Sequence, residues 1–513
     1  MWCLAASTAI AVALLWQAPA EAFDACEGFL ADPGELRQFV TDNGVHDAPM
    51  RYFDQARSIR VETEVSDRLI PVARTDADGN PVIVYPTAFP PMLCRMALAT
   101  YLEIEGDWRP FAIAARDAAI CAATGPRDAC LVEYAEQLEQ SYAAAFRELP
   151  ERAQRSAYSL ATDAVGQVAK HEYAHHLLQH AERIRSGRLQ RIDAEFEADF
   201  YAVQNGAQGG EAPAAMFYFF KPLADMEAYA ESPPSADYES GRCRAVNVDD
   251  ITGLFGIAPI VLRNAVWGDE AGAPELQTVA AELAGMAPPG PGAESCGRLA
   301  AQVLRESHSE LTRLVSLVAA YADLLPVAEG APAEGLGLGP EGVMPLVEDL
   351  QDALGSFVHL KGLAAGTLSI LVRRLAYGGA ETEISAQLDR AIDAVADDIL
   401  AGDYGRLLQV RALQAFYGAP GRPLEDRMDE AQPLFEAAVT LLPSASESWM
   451  NLAFIARLQG DCDAAAQFAD ESARVAGSDK LVAQATLFRD DMRETSAAGL
   501  CAESSARFAA GFE

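Results

Sequence analysis

The chain has 513 residues, with 75 acidic against 39 basic side chains, a formal charge of −36 and 50% hydrophobic residues; its mean hydropathy is +0.02 and its pI is near 4.5. So large a negative excess repels phosphate backbones and anionic lipid surfaces, which excludes nucleic acid as a partner. The hydrophobic share gives an alanine-rich helical protein ample core, and the length predicts about three domains.

Residues 1–20 run apolar, and Ala18-x-Ala20 and Ala20-x-Ala22 offer small-residue cleavage sites. Residues 1–22 therefore read as a secretory signal peptide and the mature chain as periplasmic or secreted. No positive n-region precedes the apolar run, so an uncleaved N-terminal anchor is the other reading. Asp24, two residues before Cys26, spoils that cysteine as a lipid-attachment site. Of nine cysteines, loss of Cys3 with the leader leaves eight, an even number that predicts disulfides in an exported chain. Proximity pairs Cys121 with Cys130 and Cys462 with Cys501, and elimination leaves Cys26 with Cys94 and Cys243 with Cys296. No C-x-x-C occurs, so a cysteine zinc site is not supported.

Within 23–150, segments 58–65, 68–73 and 81–85 alternate with β-branched residues, and Asp76-Ala-Asp-Gly-Asn80 supplies turn chemistry for a hairpin. A small sheet beside the active-site helix is predicted, with an edge able to take substrate as an added strand. From Met92 onward the pattern is mostly helical.

Residues 168–177 read Val-Ala-Lys-His-Glu-Tyr-Ala-His-His-Leu and contain His171-Glu172-x-x-His175. On a helix, imidazoles four residues apart stand one above the other with Glu172 beside them, which gives two zinc ligands and a base. At this composition about 0.014 such matches are expected by accident. No proline falls between Ser156 and His180, so one helix is predicted through the motif. A catalytic zinc takes three protein ligands and keeps a fourth position for water, so one ligand is still missing. The metzincin solution is excluded, because Leu178 and Ala181 stand where its glycine and third histidine would be. On a continuing helix His180 lies about 900° from His171 and points away from the metal face, as a packing or surface residue. His176 and His180 form a second i,i+4 pair with no acid between them and read as non-ligands.

The third ligand is sought in Asp193-Ala-Glu195-Phe-Glu197-Ala-Asp199. Glu195 and Asp199 share a helix face, so Glu195 can bind zinc while Asp199 orients a ligand histidine through its other ring nitrogen. Glu197 is rotated about 200° from Glu195 and cannot join it from the same helix. The competing reading is an ordinary acidic, solvated face.

HEYAHHLLQH, then EFEAD beginning twenty residues after His175, then MFYFFKPL, resemble the gluzincin peptidases of the HtpX, BepA and CaaX-prenyl-protease type over residues 160–244. The resemblance implies one zinc ion per chain on His171, His175 and Glu195, with Asp199 behind a ligand and Glu172 as general acid and base. The family's His-Pro followed by an arginine is replaced here by Ser232-Pro233-Pro234 and then Arg242. The role of that histidine is thereby lost, and Arg242, Tyr238 and Tyr173 are the candidate donors to the transition-state oxyanion.

The zinc core is assigned to 151–285, a helical segment with Gly/Pro-rich linkers (286–292 and 326–345) to 286–345, and a repeat domain to 346–513. The apolar stretches 251–267 and 357–372 carry Arg263 and Lys361 and are broken by glycines, so they read as buried or partner-facing helices, and no transmembrane span is predicted in the mature chain. Ala431, Phe435, Ala438 and Pro443, then Trp449, Leu452, Gly460 and Ala465, fall at tetratricopeptide spacing. An insertion at 419–424 and Ala469 in place of an aromatic depart from that pattern, and an unrelated helical hairpin array is the alternative. Such a stack has a concave face that holds peptides or partner proteins.

The expected fold is mainly α: a gluzincin-type zinc peptidase domain with a small sheet, a helical linker region and an α-solenoid. The expected function is an exported zinc metalloendopeptidase acting on envelope proteins in quality control or assembly, as the resemblance to the periplasmic BepA type implies. Its repeats would recruit protein substrates or an envelope assembly machine. The alternative is a latent or non-catalytic chaperone or adaptor with a plugged or structural zinc site. A weaker third reading is a secreted toxin or nutritional protease.

Overall fold

A computed structural model describes residues 26, 28–65, 70–106, 150–218, 220–221, 241–256, 258–267, 272–285, 298–322, 340–377, 389–390, 392–417 and 421–509. The predicted leader, Cys121, Cys130, Tyr238, Cys296 and the linker at 286–292 lie outside these residues, as do the side chains of Arg242 and Cys243. Among the described residues the protein is mainly helical with one three-stranded sheet. It divides into two compact units, one within Ala18–Thr367 and one within Leu368–Glu513.

The first unit opens with α1 (Pro33–His46), which starts where physics favours a start: Asp32 accepts from the backbone N–H groups of Gly34 and Glu35, and proline occupies the first turn. A short α2 (Phe53–Ser58) leads to β1 (Arg60–Glu64), β2 (Val72–Thr75) and β3 (Pro81–Pro86). The sheet order is β1-β3-β2, with β1 parallel and β2 antiparallel to the central strand. The predicted hairpin is present, with Asp76 accepting from the backbone of Asp78 and Asn80. Its first strand lies later than predicted, at 72–75 in place of 68–73, because Pro71 has no N–H to give a ladder and strand pairing begins after it. Next comes α3 (Phe89–Gly106), and Cys26 is joined to Cys94 in its first half.

At the centre stands α4 (Glu151–Leu177), packed by α1, α3, strands β2 and β3 and, on its far side, α6 (Arg191–Gly209). A helix covered on all sides buries even its polar residues, and in α4 every residue from 163 to 174 is buried. Each of those polar groups therefore needs a partner. Asp163 accepts from the Ala212 N–H, Gln167 bonds both Ala212 and Met216, and Lys170 lies 2.9 Å from Asp47 and 2.5 Å from Glu211. Close approach is secured by glycine: a Cβ on Gly44 of α1 would fall 2.1 Å from the Tyr173 ring. That contact puts Tyr173 on the side of α4 opposite His171, which removes it as an oxyanion donor.

The predicted single helix through the motif does not run to His180. It ends at Leu177, Gln179 adopts φ 56° and ψ 39°, and a separate α5 (His180–Arg185) follows. Beyond α6 come α7 (Gly241–Phe255), α8 (Ala258–Trp267), α9 (Gly272–Gly285), α10 (Arg298–Ala319), α11 (Pro340–Leu354) and α12 (Lys361–Tyr377). The end of the expected 326–345 linker is thus helical, with Pro345 inside α11. No helix among the described residues is long and apolar enough to cross a membrane.

The second unit holds α13 (Ala401–Tyr417), α14 (Leu424–Leu441), α15 (Ser446–Leu458), α16 (Cys462–Val475), α17 (Asp479–Ala497) and α18 (Cys501–Ala509), with successive helices from α13 to α17 packed on each other. Ala431, Phe435, Ala438, Leu452, Ala465 and Ala469 are buried between them. Gly460, at φ +81°, makes the turn from α15 to α16, where a side chain would be strained. A disulfide joins Cys462 to Cys501. Disulfides persist in oxidising compartments, so the two bonds fit an oxidising environment.

Candidate metal centre

The motif histidines lie on the last two turns of α4, and Glu195 faces them from α6. His171 Nε2 and His175 Nε2 are 3.0 Å apart; Glu195 Oε2 is 3.4 Å from the first and Oε1 is 3.9 Å from the second. One ligand atom from each of the three residues lies within 4.8 Å of the others, a cluster able to hold a metal ion.

Asp199, one turn after Glu195 and fully buried, meets His171 Nδ1 at 2.8 Å. That hydrogen bond holds a ring proton on Nδ1, so that loss of the other proton frees Nε2 toward Glu195. Burial opposes a proton on Nε2 as well, but the neighbouring Asp199 carboxylate outweighs it and lifts the His171 pKa to about 9. His175 moves the other way, held well below the ordinary imidazole value by burial and by the charge of His171. Burial also opposes ionisation of Glu195; Arg244 and His171 outweigh it and hold the carboxyl well below its usual range.

Glu172 is buried beside this cluster, and the backbone of Ala73 on β2 is among the groups that favour its charged form. Burial is the main cause that pushes its carboxyl up to about 7, where a group both accepts and returns a proton readily. The sheet edge predicted beside the site helix is β2, which packs against α4.

Two residues at the site were not foreseen. Arg244, on α7, bonds Asp199 through Nη2 at 2.6 Å and Nε at 3.1 Å, reaches Glu195 with Nη1 at 3.2 Å, and stacks over the Phe220 ring at 4.2 Å. The arginine sought from the family pattern was Arg242, two residues earlier and about 200° away on the same helix.

His180, expected to point away, sits with Nδ1 2.8 Å from His175 Nδ1. The reason is the helix break at Gln179, which turns the chain back before α5 begins. Glu197 does not join the three ligand residues, in line with its rotation on α6; it accepts from His180 and, at 2.5 and 2.9 Å, from Arg183. His176 meets the Val82 carbonyl at 3.1 Å and takes no part in the cluster.

Comparison with family models, with curated proteins and with solved structures finds no match to this chain. The functional argument therefore stands on the site itself.

Proposed function

We propose that the chain is an exported zinc metalloendopeptidase of the gluzincin type. The carrying observation is the convergence of His171, His175 and Glu195 with a buried, proton-ready Glu172 beside them. Zinc bonds of about 2.0–2.2 Å in tetrahedral array need donors about 3.3–3.6 Å apart. The two imidazole nitrogens are 3.0 Å apart, and Glu195 lies 3.4 Å from the first through Oε2 and 3.9 Å from the second through Oε1, close to that range. Two neutral imidazoles and one carboxylate are also the donor set of hydrolytic zinc sites. When bound, zinc supplies Lewis acidity: it polarises a carbonyl and makes water acidic near pH 7.

Glu172 accepts the proton of the attacking water as the scissile carbonyl is added to, then hands that proton to the leaving amine, so one peptide bond and one water give an acid and an amine. Asp199 and Arg244 keep His171 and Glu195 in register, and Arg244 is a cationic donor beside the reacting carbonyl. Backbone groups on the β2 edge would align an extended peptide past Glu172. In the second unit the buried small residues support a tetratricopeptide-like array that recruits protein substrates or an envelope assembly partner.

One observation favours the latent-adaptor reading: Arg244 Nη2 lies 3.4 Å from His171 Nε2, where a guanidinium repels an incoming cation. Metal analysis and casein digestion with and without chelator separate the two. The expected result is one zinc per chain and chelator-sensitive cleavage; zinc retained without any cleavage favours the adaptor. Glu172→Gln should keep its zinc and lose about 10²–10⁴-fold in hydrolysis. Full activity in that variant refutes the assignment of the base.

A further inference from the structure

The two ligand histidines are supported differently. His171 gives its Nδ1 proton directly to a carboxylate, Asp199, which Arg244 anchors. Behind His175 there is no carboxylate but a second imidazole, that of His180, which is 2% exposed. Behind His180 comes Glu197, 3.1 Å from its Nε2, and Glu197 is gripped by both outer nitrogens of Arg183. The order His175, His180, Glu197, Arg183 repeats the order His171, Asp199, Arg244 with one imidazole interposed.

Proton bookkeeping leaves one working arrangement. His175 Nε2 must be bare to bind a cation, so the ring proton of His175 is on Nδ1. Two nitrogens 2.8 Å apart share a single proton, so His180 Nδ1 is the acceptor. The proton of His180 is then on Nε2 and is donated to Glu197, which the Arg183 fork keeps ionised and in place. The opposite arrangement, with His180 donating from Nδ1, would move the proton of His175 to Nε2 and abolish the lone pair that faces Glu195.

We propose that His180 is a positioning residue that sets the tautomer and ring orientation of His175 through the Nδ1–Nδ1 hydrogen bond, backed by Glu197 and Arg183. This rests on the reading of His171, His175 and Glu195 as a zinc site. It also gives the helix break a purpose. On an unbroken helix His180 would stand far from His175, and the left-handed Gln179 brings it back.

The test is zinc affinity of the full chain, measured by competition with a chromophoric chelator, alongside circular dichroism and the thermal midpoint. His180→Ala should weaken zinc about 10–100-fold, the usual effect of removing a hydrogen-bond partner from a ligand histidine. His180→Asn, whose side-chain oxygen can accept in place of Nδ1, should recover affinity to within a few fold of the native chain. Glu197→Gln should weaken zinc in the same direction by less than His180→Ala. If His180→Ala fails to fold, the asparagine and glutamine variants still decide: native zinc affinity in Glu197→Gln together with a loss in His180→Asn as large as that of His175→Ala would overturn the relay. If His175→Ala loses zinc while His180→Ala binds as tightly as the native chain, the positioning role is wrong and the zinc site stands. If His171→Ala and His175→Ala both bind zinc as tightly as the native chain, the zinc reading falls and takes this inference with it.

Discussion

The centre of the first unit buries a cluster of ionisable residues, whereas the centre of the second is mostly apolar and buries Arg427, tied to the Phe416 carbonyl. Around α4 the interior holds Asp163, Gln167, Lys170, His171 and Glu172, each tied to named partners; between α13 and α17 it holds Ala431, Phe435, Ala438, Leu452 and Ile455. An apolar interior gains from every area removed from water and tolerates changes of shape, whereas a charged interior holds only while its pairing is complete. The contrast marks the surroundings of the proposed site. A chain that buries a lysine among Asp47, Glu211 and Asn43 accepts a thermodynamic liability, and that liability lies one residue from the first motif histidine.

The largest effect should come from breaking that pairing without changing its shape. Lys170→Met leaves the buried Glu211 and the half-buried Asp47 without their cation, and removal of one member of a buried ion cluster costs up to about 3–5 kcal/mol. Hydrogen exchange read by mass spectrometry on peptides spanning 163–174 should show that loss, with peptides spanning 431–441 unchanged. Equal loosening of both peptides would erase the contrast.

Acid should act on the first region in the same selective way. Burial opposes protonation of His171, but Asp199 outweighs it and sets the pKa near 9, so below that pH a proton competes with zinc for Nε2. The sign follows: affinity rises with pH up to about 9 and falls on acidification by about tenfold per unit, or about 1.4 kcal/mol. Zinc titrations at pH 8, 7 and 6 check it, and a flat profile would mean that His171 is already neutral at pH 6. In the apolar centre the matching experiment is Ile455→Leu, which keeps volume and should cost less than about 1.5 kcal/mol by urea denaturation. A cost as large as that of Lys170→Met would show the second interior to be as exacting as the first.

How much of this was legible follows from range. His171, Glu172, His175, Glu195 and Asp199 could be read because helical periodicity alone puts each pair on one face. The mainly helical fold with a small sheet was legible for the same reason, from local alternation and turn chemistry. Arg244 was not, since only the docking of α7 on α6 brings it to the site. The partners of Lys170 come from α1 and from the turn after α6, contacts that no local pattern announces. His180 was misread through a local feature that left no trace: the break at Gln179 has neither glycine nor proline to mark it.

That break yields the smallest expected effect and a clean way to sharpen the difference between shape and chemistry at the site. Gln179 is exposed and at φ 56°, so its side chain adds little packing while its Cβ strains the backbone. Gln179→Gly keeps the same path and removes the strain, at the cost of a freer unfolded chain, so the net gain should stay under about 1 kcal/mol. Zinc affinity should not change, because His180 still reaches His175. Gln179→Pro cannot adopt a positive φ, since its ring holds φ near −65°. The chain would leave α4 in another direction and His180 would part from His175, so zinc should weaken as it does in His180→Ala. If glycine and proline variants bind zinc alike, the left-handed turn is incidental to the site and the break serves only to end the helix.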